Sequence, residues 1–241
     1  VVYHFSQTSG TFTPENQDPA QQEIFNSKAI RSKPFSGGSN LIWAVDLENG
    51  KRIIFKPEHG EVDLFPEHIR GSLFKREIAA YEFAKILNMQ HMVPPTTIKE
   101  VDNQIGSAQM FIEDAKYFLV HNSNIRSLQD AALFDVLIGN LDRHGGNVLM
   151  KNGELVLIDH GFAFPNSPAI NHIYTKLLNA LIIQKEGQDL REDHKEKIQQ
   201  LLANKNQVAK KLEKFLAQDE IGSIFVRAEA LLNAARYNIA P

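Results

Sequence analysis

One stretch constrains this chain more than any other: residues 135–165, DVLIGNLDRHGGNVLMKNGELVLIDHGFAFP. Val148 to Met150, Lys151-Asn152-Gly153 and Glu154 to Ile158 read as a β-hairpin. Asn-Gly suits its turn because both central residues need positive φ. Asp142 opens Asp-Arg-His-Gly-Gly-Asn, so Asn147 follows it by five positions. Asp159 ends the apolar run and is followed by His160 and Gly161. The hairpin therefore carries an Asp and an Asn at its mouth and another Asp just past its far end. Hard oxygen ligands gathered this way suit Mg2+ or Mn2+ carrying phosphates.

The totals set bounds. At 241 residues the chain can bury a sizeable core as one domain or two tightly joined lobes. It is 43% hydrophobic and 23% charged, an ordinary globular balance. A net charge of −3 argues against nucleic acid or an anionic membrane as a bulk partner. With no cysteine there is no disulfide framework and no thiolate metal site, which suits an intracellular, soluble, cytoplasmic protein. No run of about 18 apolar residues marks a transmembrane segment. The chain starts at Val1 rather than Met, which leaves room for a longer parent with targeting signals.

Taken in order, residues 6–23 are polar and contain Pro14 and Pro19, which predicts an extended or mobile lead-in within 1–26. Ala29–Phe35, Leu41–Leu47 and Lys51–Lys56 read as strands, with Ser36-Gly37-Gly38-Ser39 and Glu48-Asn49-Gly50 as turns. In a period-2 strand Ile54 and Lys56 share a face, so Lys56 needs a counter-charge. The connector 58–71 holds two histidines and four acids with no spacing that would converge them on a metal. Residues 72–89 form a helix with Ala79, Ala80, Phe83, Ile86 and Leu87 on its apolar stripe. Glu77 lies near that stripe and is the natural partner of Lys56, with Glu82 second. Thr96–Val101 and Gln104–Ile112 make a further hairpin, and Ser127–Ile138 a helix entering the Asp142 loop. Helices follow at about 169–184, 188–203, 206–217 and 220–238, with Lys205, Lys210, Lys211 and Lys214 on a solvated face.

An Asp with an Asn five residues on, then Asp-x-Gly, is the layout of a kinase catalytic loop and metal motif. Gly-Asn-Leu-Asp-Arg-His-Gly-Gly-Asn (139–147) with Leu-Ile-Asp-His-Gly-Phe-Ala-Phe-Pro (157–165) resembles the phosphatidylinositol 3-/4-kinase superfamily, above all its compact type II-like and bacterial members. Glu77-Ile-Ala-Ala-Tyr81 resembles that family's Glu-x-Ala-Ala-Tyr pattern. The resemblance covers about residues 28–165. It implies an α+β, two-lobed atypical protein-kinase-like fold: a small antiparallel β lobe (27–113) and a largely helical large lobe (114–241).

The resemblance also implies roles. Ser36, Gly37, Gly38 and Ser39 cradle phosphates, the backbone of a hinge at about Phe111–Ala115 reads the adenine edge, and Met110 or Ile112 packs on the ring. Lys56, held by Glu77, neutralises phosphate charge. Asn147 and Asp159 hold Mg2+ or Mn2+. Asp142 orients the acceptor hydroxyl, His144 assists, Arg143 pairs with an acid near the metal loop, and His160 packs. ATP is the implied nucleotide, and the acceptor is phosphatidylinositol or a protein Ser/Thr. Residues 162–175 contain no Lys or Arg, unlike the 3-kinase type, which disfavours a multiply phosphorylated headgroup. The alternatives are a kinase-fold module that binds a nucleotide or inositol phosphate without phosphotransfer, or an AMP-transferring enzyme on the same fold. Peripheral membrane contact, an unidentified activator and delivery into a host cell as a bacterial effector stay open.

Overall fold

The computed structural model describes residues 3–4, 11–12, 17–35, 40–61, 68–119, 123–169, 176–184 and 186–237. Strands β1 (Tyr3–His4) and β2 (Thr11–Phe12) pair with each other. Helix α1 (Pro19–Asn26) follows, where the two prolines predict an extended lead-in. The reason is local: Asp18 accepts from the Gln21 N–H, Gln21 reaches back to the Asp18 N–H, and Pro19 sits at the first helical position. Gln21 then donates to the Thr96 carbonyl, and Lys99 donates to the carbonyls of Ile24, Phe25 and Ser27, so α1 is sewn to the small-lobe sheet.

That sheet contains β3 (Ala29–Pro34), β4 (Trp43–Leu47), β5 (Arg52–Pro57), β6 (Thr96–Val101) and β7 (Gln104–Met110). All neighbours are antiparallel, in the order β3-β4-β5-β7-β6. β5 alternates as its sequence predicts. Ile53 and Phe55 enter the core with Ile24, Val45, Leu47, Val101 and Ala108, while Ile54 and Lys56 face the other way. Gly106 lies opposite Pro57, and a Cβ there would sit 2.2 Å from the Lys56 carbonyl oxygen, so only glycine lets β7 pass this close.

Helix α2 (Leu73–Ile86) lies between β5 and β6 in sequence, and eleven of its residues are buried. A helix buried on nearly every side belongs inside a core rather than on a surface. Its apolar side chains share one continuous core with α3 (Ile125–Ile138), α4 (Lys176–Ile183), α5 (Glu192–Ala203), α6 (Lys205–Leu212) and α7 (Gln218–Ala234). α2 also packs on β6 and β7, so it joins the small-lobe sheet to this helical core. Residues 167–169 are not helical, so α4 starts later than its sequence pattern predicts. α7 starts and stops earlier than the predicted span of about 220–238 at its C-terminal end, closing at a left-handed Ala235.

A second sheet holds β8 (Lys116–Tyr117), β9 (Val148–Lys151) and β10 (Glu154–Leu157) in the order β10-β9-β8. The β9–β10 turn is the one read from the sequence, with φ of 54° at Asn152 and 84° at Gly153. Among the described residues no helix is long and apolar enough to cross a membrane.

Candidate active site

Five elements converge on a cleft of about 500 Å³ between the two sheets, lined on one side by Ile42, Ile54, Met110 and Ile112 and on the other by Leu149 and Ile158. Lys56, His144, Asn147 and Asp159 line its polar end. An apolar slot with a few convergent polar groups is the form a nucleotide-sized ligand takes.

Lys56 is the hub. Its Nζ lies 2.5 Å from Glu77 Oε1 and 2.9 Å from Asp159 Oδ1. Burial alone disfavours the ammonium, but the charges of Asp159 and Glu77 outweigh it and hold the Lys56 pKa above the ordinary lysine value. Burial likewise opposes the Glu77 carboxylate, and Lys56 with His160 overcomes it, so the carboxyl titrates well below its usual range. Glu77 is therefore the partner of Lys56. Glu82 instead pairs with Lys85 at 2.9 Å and accepts from Gln21.

The Asp142 loop is built from the C-terminal end of α3. Gly139 closes that helix at φ 61°, a left-handed cap that glycine adopts without penalty. Asn140 is fully buried, and its side-chain oxygen accepts from the Asp142 N–H at 2.9 Å. This residue was not singled out from the sequence, although Asn two positions before a turn residue is a known local signal. Arg143 is buried under the loop, where its Nε donates to Asp135 at 2.9 Å and its Nη1 donates to the carbonyls of Asn147 and Ile158. Its acid is thus Asp135 on α3, and the same guanidinium holds the Ile158 carbonyl just before Asp159, a structural role.

Asn147 Nδ2 donates to the Asp142 carbonyl at 3.0 Å, which turns its Oδ1 to other work. Asp159 sits at φ 59°, a conformation that costs a non-glycine residue about 1–3 kcal/mol and clusters at functional sites. Asp142 and His144 are about half exposed, with Oδ2 and Nε2 3.9 Å apart. His144 Nδ1 accepts from the Gly146 N–H, which leaves Nε2 on the Asp142 side. Burial raises the Asp142 carboxyl first; Asp159 raises it further, against the lowering effect of His144 and Arg143. His160 is wholly buried, edge-on to Phe134 at 5.9 Å, and burial pushes its pKa down, so it packs as the neutral imidazole.

The hinge expected at about Phe111–Ala115 borders this cleft. The Met110 N–H donates to the Pro95 carbonyl and the Phe111 N–H to the Arg52 carbonyl, so a ligand edge is left to groups from the Phe111 carbonyl onward. Tyr117, which the sequence did not flag, is 76% exposed at the same cleft. Ser36, Gly37, Gly38 and Ser39 lie outside the described residues. Residues 62–67 of the connector 58–71 lie outside the described residues. Glu61 from that connector accepts from the N–H groups of Leu73 and Phe74 at the start of α2. The oxygen pair that fits a hard divalent ion is Asp159 with Asn147.

This is a kinase fold. The Golgi casein kinase with Mn/ADP bound superimposes with a TM-score of 0.64 at 14% identity, covering 91% of this chain and 74% of that one. Residues 75–186 match the family described as "Phosphatidylinositol 3- and 4-kinase", which bears out the resemblance carried by the two motif blocks. Phosphatidylinositol 4-kinase gamma 4 of Arabidopsis thaliana is 34% identical over 94 residues, 31% of this chain and 17% of that protein. Phosphatidylinositol 4-kinase gamma 6 of the same plant is 29% identical over 147 residues, 45% of this chain and 23% of that protein. The matched regions thus span well under two thirds of these relatives' own length.

Proposed function

We propose that this chain is an ATP-dependent phosphotransferase that moves the γ-phosphate to a hydroxyl, on phosphatidylinositol or a protein side chain. The observation that carries the reading is Lys56, bound at once to Glu77 at 2.5 Å and Asp159 at 2.9 Å, in a cleft shared with Asn147 and His144. Phosphoryl transfer asks a protein for positioning and charge neutralisation rather than covalent chemistry.

Asp159 and Asn147 would hold Mg2+ or Mn2+, which supplies charge neutralisation at the phosphates when bound. Lys56, fixed by Glu77, places a permanent positive charge beside the α- and β-phosphates. Asp142 orients the acceptor hydroxyl and takes its proton. His144 stands beside it to steady the acceptor. Ile54, Met110 and Ile112 give the adenine an apolar slot, and the residues after Phe111 meet its edge.

The acceptor is narrowed by what the loop after Asp159 lacks. Residues 162–175 carry no Lys or Arg and only His172, which favours an unphosphorylated headgroup or a protein hydroxyl. The mass added to the acceptor after incubation with ATP and Mn2+ or Mg2+ tests the reading. One phosphate supports it. One AMP makes the chain an adenylyl-transferring enzyme, and no added mass with metal-dependent ATP binding makes it a binding module.

A further inference from the structure

The helix that presents Glu77 is anchored by a part of the chain outside the region matching the family, residues 75–186. We propose that Arg76 and Glu220 are positioning residues for phosphoryl transfer, through which α7 holds Glu77 and the segment after Asp159 in register with Lys56. The proposal rests on the catalytic reading given above.

Arg76 and Glu77 are consecutive, so their side chains leave α2 about 100° apart and reach the same segment at two places. Glu77 Oε2 accepts from the His160 N–H at 3.0 Å. Arg76 Nη1 donates to the carbonyls of Ala163 at 2.5 Å and Phe164 at 2.7 Å. The segment 160–164 is thus held at both ends by neighbouring side chains of one helix, and Phe164 is kept at φ 58°. The other half of the Arg76 guanidinium donates to the Arg70 carbonyl and to Glu220 Oε1 on α7. Both side chains are almost fully buried, at 1% and 5% exposure.

Glu220 is itself fixed, because its Oε2 accepts from the Ala217 N–H at the start of α7. A second arginine, Arg227 of α7, repeats the connection. Arg227 Nε donates to the Leu137 carbonyl at the end of α3, and its Nη1 donates to the Ser167 carbonyl. α7 therefore reaches the Asp142 loop from one side and the segment after Asp159 from the other. A buried ion pair is weak as a source of stability, since desolvation offsets the attraction. What it supplies here is direction: a planar fork that fixes three carbonyls and one helix at once. The opposite end of α2 is held as well, with the Tyr81 hydroxyl donating to Asp18 Oδ2 at 2.9 Å and Lys85 to Gln21 Oε1 at 2.7 Å.

The test compares the full chain with Glu220→Gln and Arg76→Lys. His194→Gln serves as a matched control, because His194 is buried in a separate contact with Asp130 and Tyr237. Melting temperature, kcat, KM for ATP and hydrogen exchange of residues 73–80 and 160–165 are measured below all melting transitions. We expect kcat of the two clamp variants to fall on the order of a hundredfold with little change in KM, as for a misplaced catalytic group. We also expect faster exchange at the His160 amide, with the β6–β7 hairpin unchanged. The control lowers the melting temperature and leaves kcat alone. If the clamp variants behave like the control in both kcat and His160 exchange, the proposal is overturned. If the unmodified chain transfers no phosphate, the catalytic reading fails, and the exchange arm alone decides the clamp. Should Arg76→Lys not fold, Glu220→Gln, which keeps the side chain's shape, decides.

Discussion

The Glu77 carboxylate accepts from the His160 N–H at 3.0 Å while its other oxygen meets Lys56 at 2.5 Å. One side chain of α2 thereby joins the strand that carries the lysine to the backbone directly after Asp159. Site assembly in this protein is a matter of where α2 lies, between the small-lobe sheet and the helices of the large lobe.

Replacing Lys56 with Met removes the ammonium bonded to a carboxylate that is 3% exposed. Breaking a buried pair from one side costs about 3–5 kcal/mol. We expect urea unfolding to show a loss of that size and phosphate transfer to fall by about three orders of magnitude. Wild-type stability in this variant would mean that Glu77 has another partner in solution.

The pH dependence follows from the sign of the Glu77 shift. Burial raises its pKa, but Lys56 and His160 together drive the folded value below the unfolded reference of 4.5. Its contribution to stability is complete above the unfolded value and is lost as the pH falls from there through the depressed folded value. Glu77→Gln should therefore flatten the acid limb of a plot of unfolding midpoint against pH. Parallel limbs for the two proteins would contradict this.

Asp135 is the buried counter-charge of Arg143, with both side chains at 0% exposure. Asp135→Ala should cost about 3–5 kcal/mol. At about 2–4 °C per kcal/mol for a chain of this size, the melting temperature should drop by roughly 10 °C. Calorimetry reads this directly, and a change under about 2 °C would show that the pair is dispensable.

His160 stands where a Phe is familiar between Asp and Gly, and it is buried edge-on to Phe134. His160→Phe should keep turnover within a few-fold, while the added volume in a fully buried site should cost about 1–3 kcal/mol of stability. Loss of turnover with an intact fold would give the imidazole a chemical role.

Local signals were legible in the sequence and long-range ones were not. The Asn152-Gly153 turn, the shared face of Ile54 and Lys56, and the hairpin that carries Asn147 toward Asp159 each follow from a few neighbouring residues. The pairing of Lys56 with Glu77 was readable because strand phase and a family pattern agreed. Helix α1 was hidden by Pro19 read as a breaker, although Asp18-Pro19-Ala20-Gln21 spells a capping box. The contact of Arg76 with Glu220 joins residues 144 positions apart, and no local pattern predicts it. Asp135 and Arg143 are only eight positions apart, but they meet because the chain turns at Gly139 after α3, which residue spacing alone does not show.

Transfer of the label from γ-labelled ATP, with Mg2+ or Mn2+, tests the central claim most directly. Phosphatidylinositol vesicles and a mixed protein substrate are offered side by side, with Asp142→Ala as the blank and Asp159→Ala beside it. The account predicts label in lipid or protein with the unmodified chain, and none with either variant. Label retained by Asp159→Ala, or none from the unmodified chain, would contradict it.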